Sequence, residues 1–186
     1  MNNEFCPAEF MAAYLSEGAY CFNAAQVLSI LDLSKFTMDE VRTKEWTENA
    51  ERLIPLIIQN YLGEFAATLK YDFTCGHTNG NVRKWHSDAE YVIPKQNATI
   101  NCFYDNTDEE TGGRFDITPY RDGLIGTMRE DVQMCSIYPK KHSIIIFNQN
   151  RNWLHKATEV KGRRGMISIA CAFHDFNPCY ENFVQC

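Results

Sequence analysis

From Leu69 onward, the chain consists of short runs of strand-forming residues separated by turn residues, and this pattern limits the fold more than any other. The runs are five to eight residues long and rich in β-branched and aromatic residues. The predicted strands are Leu69–Phe73, Val82–His86, Ala98–Tyr104, Arg114–Thr118, Val132–Tyr138, Ser143–Phe147, Trp153–Thr158 and Met166–Phe173. Short strands at this spacing, with Asn, Asp and Gly between them, predict a β-sandwich or β-barrel.

Residues 1–69 are instead predicted to be helical. Asn23 with Gln26 three residues later is a helix-start signal, and Thr37–Glu40 has the form of a capping box. Apolar residues recur at helical spacing between Ile54 and Leu69, which predicts one apolar face. We therefore expect a helical support segment that packs against the sheets.

No repeat or linker divides the 186 residues, so one domain is expected. It comprises the helical support segment at 1–69, a strand-rich core at 70–176 and a tail at 177–186. The net charge of −6 and the lack of a strong basic cluster argue against nucleic-acid binding. No apolar run approaches the ~20 residues of a membrane span, and the N-terminus lacks the features of a secretory signal. We expect a cytoplasmic protein whose cysteines are reduced.

Three residues have the order and types of a metal-binding face. His86 and Asp88 are two positions apart, and His155 follows 67 residues after Asp88. Residues two apart on an extended segment point to the same side, so His86 and Asp88 can face one ion. Two neutral imidazoles and one carboxylate, with positions left open, suit non-haem Fe(II). A His-x-Asp triplet alone also occurs by chance, so the interpretation depends on the surrounding segments.

The segments between and after these residues resemble those of a known enzyme family. They match in order and spacing, and they are Ile100–Asn106, Gly112–Pro119 (Gly-Gly-Arg-Phe-Asp-Ile-Thr-Pro), Pro139–Phe147, Trp153–Val160 and Arg163–Ile169. Together they resemble the Fe(II)/2-oxoglutarate-dependent oxygenases, and most closely the prolyl-hydroxylase-type branch. The resemblance covers roughly residues 70–176.

This resemblance implies a mainly β fold with some α structure: a double-stranded β-helix, that is, a jelly-roll or cupin-like barrel, braced by N-terminal helices. It implies Fe(II), 2-oxoglutarate and O2, and it allows ascorbate as a further cofactor. The implied reaction hydroxylates a protein or peptide side chain or a small molecule and releases succinate and CO2. His86, Asp88 and His155 would bind the metal, with no catalytic residue beyond them. Arg164, nine residues after His155, matches the family's arginine for the far carboxylate of 2-oxoglutarate.

Ser168 and Tyr104 match positions whose hydroxyl groups lie near that carboxylate in the family. Ser168 is also compatible with a plain strand residue, and Tyr104 with a core aromatic. The alternative function is a non-catalytic cupin-like barrel that binds a metal or ligand. A cupin dioxygenase that does not use 2-oxoglutarate is a third option, but it would leave Arg164 without a role.

Strand alternation predicts that Arg164, and not Arg163, binds the cosubstrate. Arg164 shares a face with Met166 and Ser168, whereas Arg163 starts the opposite row. Removing Arg164 leaves a desolvated carboxylate unpaired, which costs about 3–5 kcal/mol. We therefore expect at least a ~100-fold loss of 2-oxoglutarate affinity in Arg164→Ala. Titration of both alanine variants with a redox-inert metal present measures this; loss in Arg163→Ala alone would place the register one residue off.

Overall fold

Strands dominate the part of the chain that the computed structural model describes, namely residues 7–30, 71–78, 83–88, 98–149, 152–162 and 165–173. All strands named below pair antiparallel. In chain order the elements are α1 (Pro7–Ser16), β1 (Ala19–Phe22), α2 (Ala24–Ile30), β2 (Tyr71–Thr78), β3 (Ala98–Phe103), β4 (Phe115–Pro119), β5 (Cys135–Ile137), β6 (Ile144–Asn148), β7 (Trp153–Ala157) and β8 (Met166–Phe173).

The larger sheet has five strands in the order β1-β6-β3-β8-β2. Strand β3 is in its middle, and every one of its side chains is buried. Asn101 of β3 lies opposite Ile145 on one side and Ser168 on the other. Because β3 is paired along both edges, the side chains on its two faces have fixed directions.

The smaller sheet has three strands in the order β5-β4-β7. Ile117 of β4 lies opposite His155 of β7, and Asp116 lies opposite Lys156. His86 forms an isolated antiparallel bridge with His155, so the segment at 83–88 lies beside β7. The smaller sheet is thus extended at the β7 side by the segment that carries two predicted metal ligands.

The two sheets share one apolar core. Along each strand, alternate side chains point to opposite faces, and one face of each sheet contributes to this core. Its buried members come from both sheets and are Ala19, Phe103, Phe115, Ile117, Ile145, Phe147, Trp153 and Met166. Met166 is among them, which agrees with the predicted alternation along β8. We call the space between the two sheets the interior.

The opposite face of the smaller sheet is covered by the long connection between β4 and β5. Trp85, Leu124, Val132 and Leu154 form a second buried cluster there. Leu154 and Lys156 flank His155 on β7, so they point away from the interior when His155 points into it. This cover buries the second face of the three-stranded sheet as well.

A buried ionic cluster lies on this covered face. Arg114 donates to both oxygens of Asp116, at 2.7 Å through Nε and 3.0 Å through Nη2. The Ser136 hydroxyl donates to Asp116 at 2.7 Å, and Lys156 Nζ lies 3.8 Å from the same carboxylate. The side chain of Asp116 is fully buried and that of Lys156 is 2% exposed. These groups tie β4, β5 and β7 together from the side opposite the interior.

The helix start predicted at Asn23 is confirmed. Asn23 Oδ1 accepts a hydrogen bond from the Gln26 N–H, and Gln26 Oε1 accepts one from the Asn23 N–H, both at 3.0 Å. This reciprocal arrangement satisfies two of the donors that helix α2 would otherwise leave unpaired.

The helical prediction for residues 1–69 is wrong at Ala19–Phe22, which form strand β1 and pair with β6. Gly18 directly before it has φ +79°, and a Cβ there would clash with the ring of Trp153. Glycine therefore allows both the backbone turn and the close approach to the aromatic ring. Four residues between two helices carry no periodicity that would predict a strand, and pairing with a distant strand decides their conformation.

Most predicted strands are confirmed to within two residues, with three larger differences. Strand β2 continues to Thr78, five residues beyond its predicted end. The segment at 83–88 makes only the bridge at His86. The run predicted at Val132–Tyr138 forms a strand only at Cys135–Ile137, because Val132 packs in the Trp85 cluster instead.

Several predictions fall outside the described residues: the capping box at Thr37–Glu40, the apolar face at Ile54–Leu69, Arg163 with Arg164, and the tail at 177–186. No helix in the described ranges is long and apolar enough to cross a membrane.

The ionic cluster generates a stability prediction. Asp116→Asn keeps the shape of the side chain but removes the buried counter-charge that Arg114 and Lys156 share, and leaves them only the exposed Glu130. Breaking a buried pair in this way costs about 3–5 kcal/mol in the free energy of unfolding, which urea denaturation measures. Asp131→Asn is the matched control, because its pair with Arg129 is solvent-exposed and should contribute little. Equal losses in the two variants would contradict this account.

Candidate metal centre

Trp85 anchors the extended segment at 83–88. Its N–H donates to the Thr127 carbonyl, and its own carbonyl accepts from the Gly126 N–H, both at 2.9 Å. Its indole N–H donates to the Arg129 carbonyl at 2.7 Å, and the side chain is fully buried. Trp85 therefore packs on the covered face of the smaller sheet, away from the interior, where it holds the following residue in place.

His86 is oriented through both its backbone and its ring. Its N–H donates to the His155 carbonyl at 3.1 Å, and the His155 N–H donates to the His86 carbonyl at 2.9 Å. Ring atom Nδ1 lies 2.8 Å from the Lys84 carbonyl. A carbonyl only accepts, so Nδ1 must carry the hydrogen, and Nε2 keeps its lone pair. A second hydrogen bond of this kind is typical of histidines that bind metals.

His155 points into the interior from the middle of β7 and is 7% exposed. Its ring contacts those of Phe147 and Phe115, with centroids at 4.9 Å and 5.9 Å. It also lies against the ring of His86 at 4.2 Å. The two phenylalanines restrict the ring and exclude water from one side of it.

The ligand atoms of the three predicted metal-binding residues converge. Nε2 of His86 lies 3.6 Å from Asp88 Oδ1, and Nε2 of His155 lies 3.6 Å from Asp88 Oδ2. All three ligand atoms lie within 4.8 Å of one another. An ion held at about 2.1 Å by each donor needs donor pairs roughly 3 to 4 Å apart. This arrangement can hold a metal ion with small side-chain adjustments.

Gln149 contacts Asp88 twice and was not predicted from the sequence. Its Oε1 accepts from the Asp88 N–H at 3.1 Å, and its Nε2 donates to Asp88 Oδ2 at 3.3 Å. The side chain is fully buried at the end of β6. Nothing in the local pattern signals this role, because the contact joins residues 61 positions apart.

The surroundings of the Asp88 carboxyl shift its pKa in opposite directions. Burial raises its pKa above the usual range, while nearby His86 and the hydrogen bond from Gln149 act in the opposite direction. Desolvation is the largest of these, so the ionised carboxylate is costly in the metal-free protein. A cation between the three ligands would offset that cost.

A polar patch lies further along the interior face of the larger sheet. Phe147, which contacts His155, pairs with Thr99, and Asn101 follows two residues later on the same face. Asn101 is 3% exposed, and its Oδ1 has no hydrogen-bond partner among the described residues. Ser168 lies directly opposite Asn101. We call Asn101 and Ser168 the interior polar pair.

Of the three residues expected to bind the cosubstrate, Ser168 lies on the interior face, and Arg164 is outside the described residues. Tyr104 continues the ladder beyond β3, with its N–H donating to the Gly165 carbonyl at 3.0 Å. Alternation therefore places Tyr104 on the face opposite Asn101. Burial raises the pKa of its phenol, with a smaller contribution from Cys102, and its buried hydroxyl has no partner within the described part of the chain.

Comparison with known proteins finds the same fold among oxygenases. A 2OG-Fe(II) oxygenase family oxidoreductase from Burkholderia pseudomallei has a TM-score of 0.56 and 13% identity, with 91% of each chain covered. A prolyl-4-hydroxylase from Pseudomonas putida has a TM-score of 0.52 and 11% identity, with 89% of this chain and 98% of that one covered. The predicted relationship in fold is confirmed.

A prolyl 4-hydroxylase from Phytophthora capsici has a TM-score of 0.54 and 13% identity over 91% of this chain, which spans 63% of that chain's length. No family model and no curated protein matches the sequence. At these identities the similarity establishes a shared fold, and the chemistry has to be argued from the residues of this chain.

Asp88→Asn tests the cost of the buried carboxylate. A group whose folded pKa is raised loses its contribution to stability as the pH rises through that folded pKa. As the pH rises through the raised pKa of Asp88, the free energy of unfolding of the metal-free wild type should therefore fall. That of Asp88→Asn should not fall, because the amide stays uncharged and can still accept the hydrogen bond from Gln149. Urea midpoints in chelator from about pH 4 to about pH 8 should show the variant at least as stable as the wild type near neutrality. A variant less stable across the whole range would contradict this.

Proposed function

We propose that this protein is an Fe(II)- and 2-oxoglutarate-dependent oxygenase that hydroxylates a protein or peptide side chain or a small molecule. The observation that carries the proposal is the cluster of His86, Asp88 and His155 at one side of a two-sheet fold similar to that of 2OG-Fe(II) oxygenases. Neither the fold nor the cluster alone would suffice, since similar folds serve different chemistries.

The donor set fits a catalytic Fe(II) site better than a structural zinc site. Two imidazole nitrogens and one carboxylate oxygen suit Fe(II), and a structural zinc site usually has four protein ligands. Among the described residues, no fourth His, Cys, Asp or Glu joins the cluster. Three positions of an octahedral ion would therefore stay open for 2-oxoglutarate and O2.

The interior polar pair bears on the proposed cosubstrate site. Asn101 Oδ1 is buried without a partner among the described residues, and as an acceptor it needs a donor, such as a guanidinium N–H or a water. Ser168 beside it offers a hydroxyl donor, as the family resemblance requires. Arg164 remains our proposal for the residue that neutralises the far carboxylate, because it lies on the same predicted face of the strand as Ser168.

Tyr104 stays a prediction from the sequence. Its place on the opposite face of the larger sheet makes Asn101 and Ser168 the better-placed polar groups in the described interior. A Tyr104→Phe variant with unchanged 2-oxoglutarate affinity would remove it from the proposed site.

The order in which the chain visits the two sheets supports a double-stranded β-helix, or jelly-roll. The chain runs from β2 in the larger sheet to the segment at 83–88 beside the smaller sheet, and then back to β3 in the larger sheet. Strands β4 and β5 follow in the smaller sheet. The last three strands then alternate, with β6 and β8 in the larger sheet and β7 in the smaller. We propose a single jelly-roll domain supported by helices from residues 1–69. The cytoplasmic location stays a prediction.

When bound, iron and 2-oxoglutarate would supply the oxidising chemistry, with succinate and CO2 as products. The chain's own residues would position both and limit access of water. His86 and His155 would bind the metal through Nε2, Asp88 would supply the negative charge, and Phe115 with Phe147 shields His155 from solvent.

Succinate formation from 2-oxoglutarate tests the function without knowledge of the substrate. With Fe(II) and O2, the wild type should release succinate slowly even when no other substrate is present. Asp88→Ala and His155→Ala should reduce this at least ~100-fold, since each removes a metal ligand. His142→Asn is the matched control: His142 lies in a turn with φ +66°, which asparagine tolerates.

The outcomes separate the alternatives. A wild type that binds Mn(II) through these ligands but never forms succinate would indicate the non-catalytic metal-binding barrel. A wild type whose Mn(II) affinity is unaffected by Asp88→Ala and His155→Ala would contradict the metal centre itself.

A further inference from the structure

We propose that Gln149 is a positioning residue that holds the Asp88 carboxylate so that it binds the metal through one oxygen. This inference rests on the proposed function, because it assigns a role within the same metal centre. It concerns a residue that no sequence pattern pointed to.

Gln149 uses both ends of its amide on one residue. Oε1 accepts from the Asp88 N–H at 3.1 Å, and Nε2 donates to Asp88 Oδ2 at 3.3 Å. A backbone N–H can only donate, so it must face the amide oxygen, and the amide nitrogen must then face the carboxylate. The orientation of the Gln149 side chain is thereby fixed by hydrogen-bond chemistry.

Gln149 directly follows strand β6 of the larger sheet, whereas Asp88 lies in a less regular segment. Asn148, directly before Gln149, ends β6 and donates its N–H to the Gly18 carbonyl at 2.8 Å. The segment at 83–88 has only the bridge at His86 as regular pairing. Through its side chain, Gln149 therefore links the end of a well-paired strand to Asp88, a proposed metal ligand that lies outside any strand.

The contact distinguishes the two carboxylate oxygens. Each oxygen lies 3.6 Å from Nε2 of one histidine, Oδ1 from His86 and Oδ2 from His155, but only Oδ2 receives the amide N–H of Gln149. A carboxylate that is free to rotate can chelate an ion with both oxygens and occupy one of the positions that the cosubstrates need. With Oδ2 engaged by Gln149, coordination through Oδ1 alone is favoured, and three positions stay open.

The burial of Gln149 protects its contact with Asp88 from water. The side chain is fully buried, so water cannot readily replace it as the partner of Asp88. Partners of metal ligands in such positions typically change metal affinity 10–100-fold when they are removed. A substitution should therefore affect the metal centre more than the fold.

Metal binding in the absence of 2-oxoglutarate and O2 tests the role. Gln149→Met keeps the approximate size and removes both hydrogen bonds, and it should weaken Mn(II) binding by roughly 10–100-fold in calorimetry. At saturating Co(II), the visible absorption spectrum of the variant should also differ from that of the wild type, because the carboxylate changes its binding mode. A merely structural role would not alter the spectrum at full occupancy.

Gln133→Met is the matched control. Gln133 is a partly buried glutamine next to β5 whose Oε1 has no hydrogen-bond partner. Its replacement should leave both the Mn(II) affinity and the Co(II) spectrum unchanged. If Gln149→Met does not fold, Gln149→Asn serves instead, because the shorter amide cannot reach both groups of Asp88.

The results separate this proposal from the proposed function. Wild type that fails to bind Mn(II) would refute the metal centre, and the role of Gln149 with it. Wild type that binds Mn(II), Asp88→Ala that does not, and folded Gln149 variants with wild-type affinity and spectrum would refute the positioning role alone.

Discussion

The backbone pairing between His86 and His155 is the interaction on which the rest of the site depends. Two hydrogen bonds of 2.9 and 3.1 Å join residues from distant parts of the chain and bring their rings to a centroid distance of 4.2 Å. Because the pairing fixes both backbones, only the ring torsions remain to be set. The Lys84 carbonyl sets one ring, and the phenylalanines of the core set the other.

Contacts on both faces of the smaller sheet stabilise this pairing. On the interior face, His155 packs among aromatic rings of the shared core. On the covered face, Trp85 anchors the 83–88 segment, and Asp116 with Lys156 ties neighbouring strands together. The site thus has a rigid backbone, while the Asp88 carboxylate carries a desolvation cost that an ion would offset. Such a local conflict is expected at a functional site and not in a purely structural one.

Predictions succeeded where the signal is local and failed where a distant partner decides. The α2 cap was predictable because Asn23 and Gln26 satisfy each other within one turn. Strand β1 was not, because four residues form a strand only by pairing with β6. The role of Tyr104 stays a prediction, because the ladder with Gly165, and not the spacing in the sequence, sets which face it occupies.

The sequence by itself determined the strand-rich core and which residues could bind a metal, because strand propensity and donor chemistry belong to individual residues and their spacing. It could also place His86 and Asp88 on one side of an extended segment, since that follows from the two-residue repeat. Only the tertiary structure decided that His155 pairs with His86, that Trp85 packs outside, and that Gln149 clamps Asp88. These contacts join segments far apart in the chain, and their geometry depends on how the two sheets pair and pack.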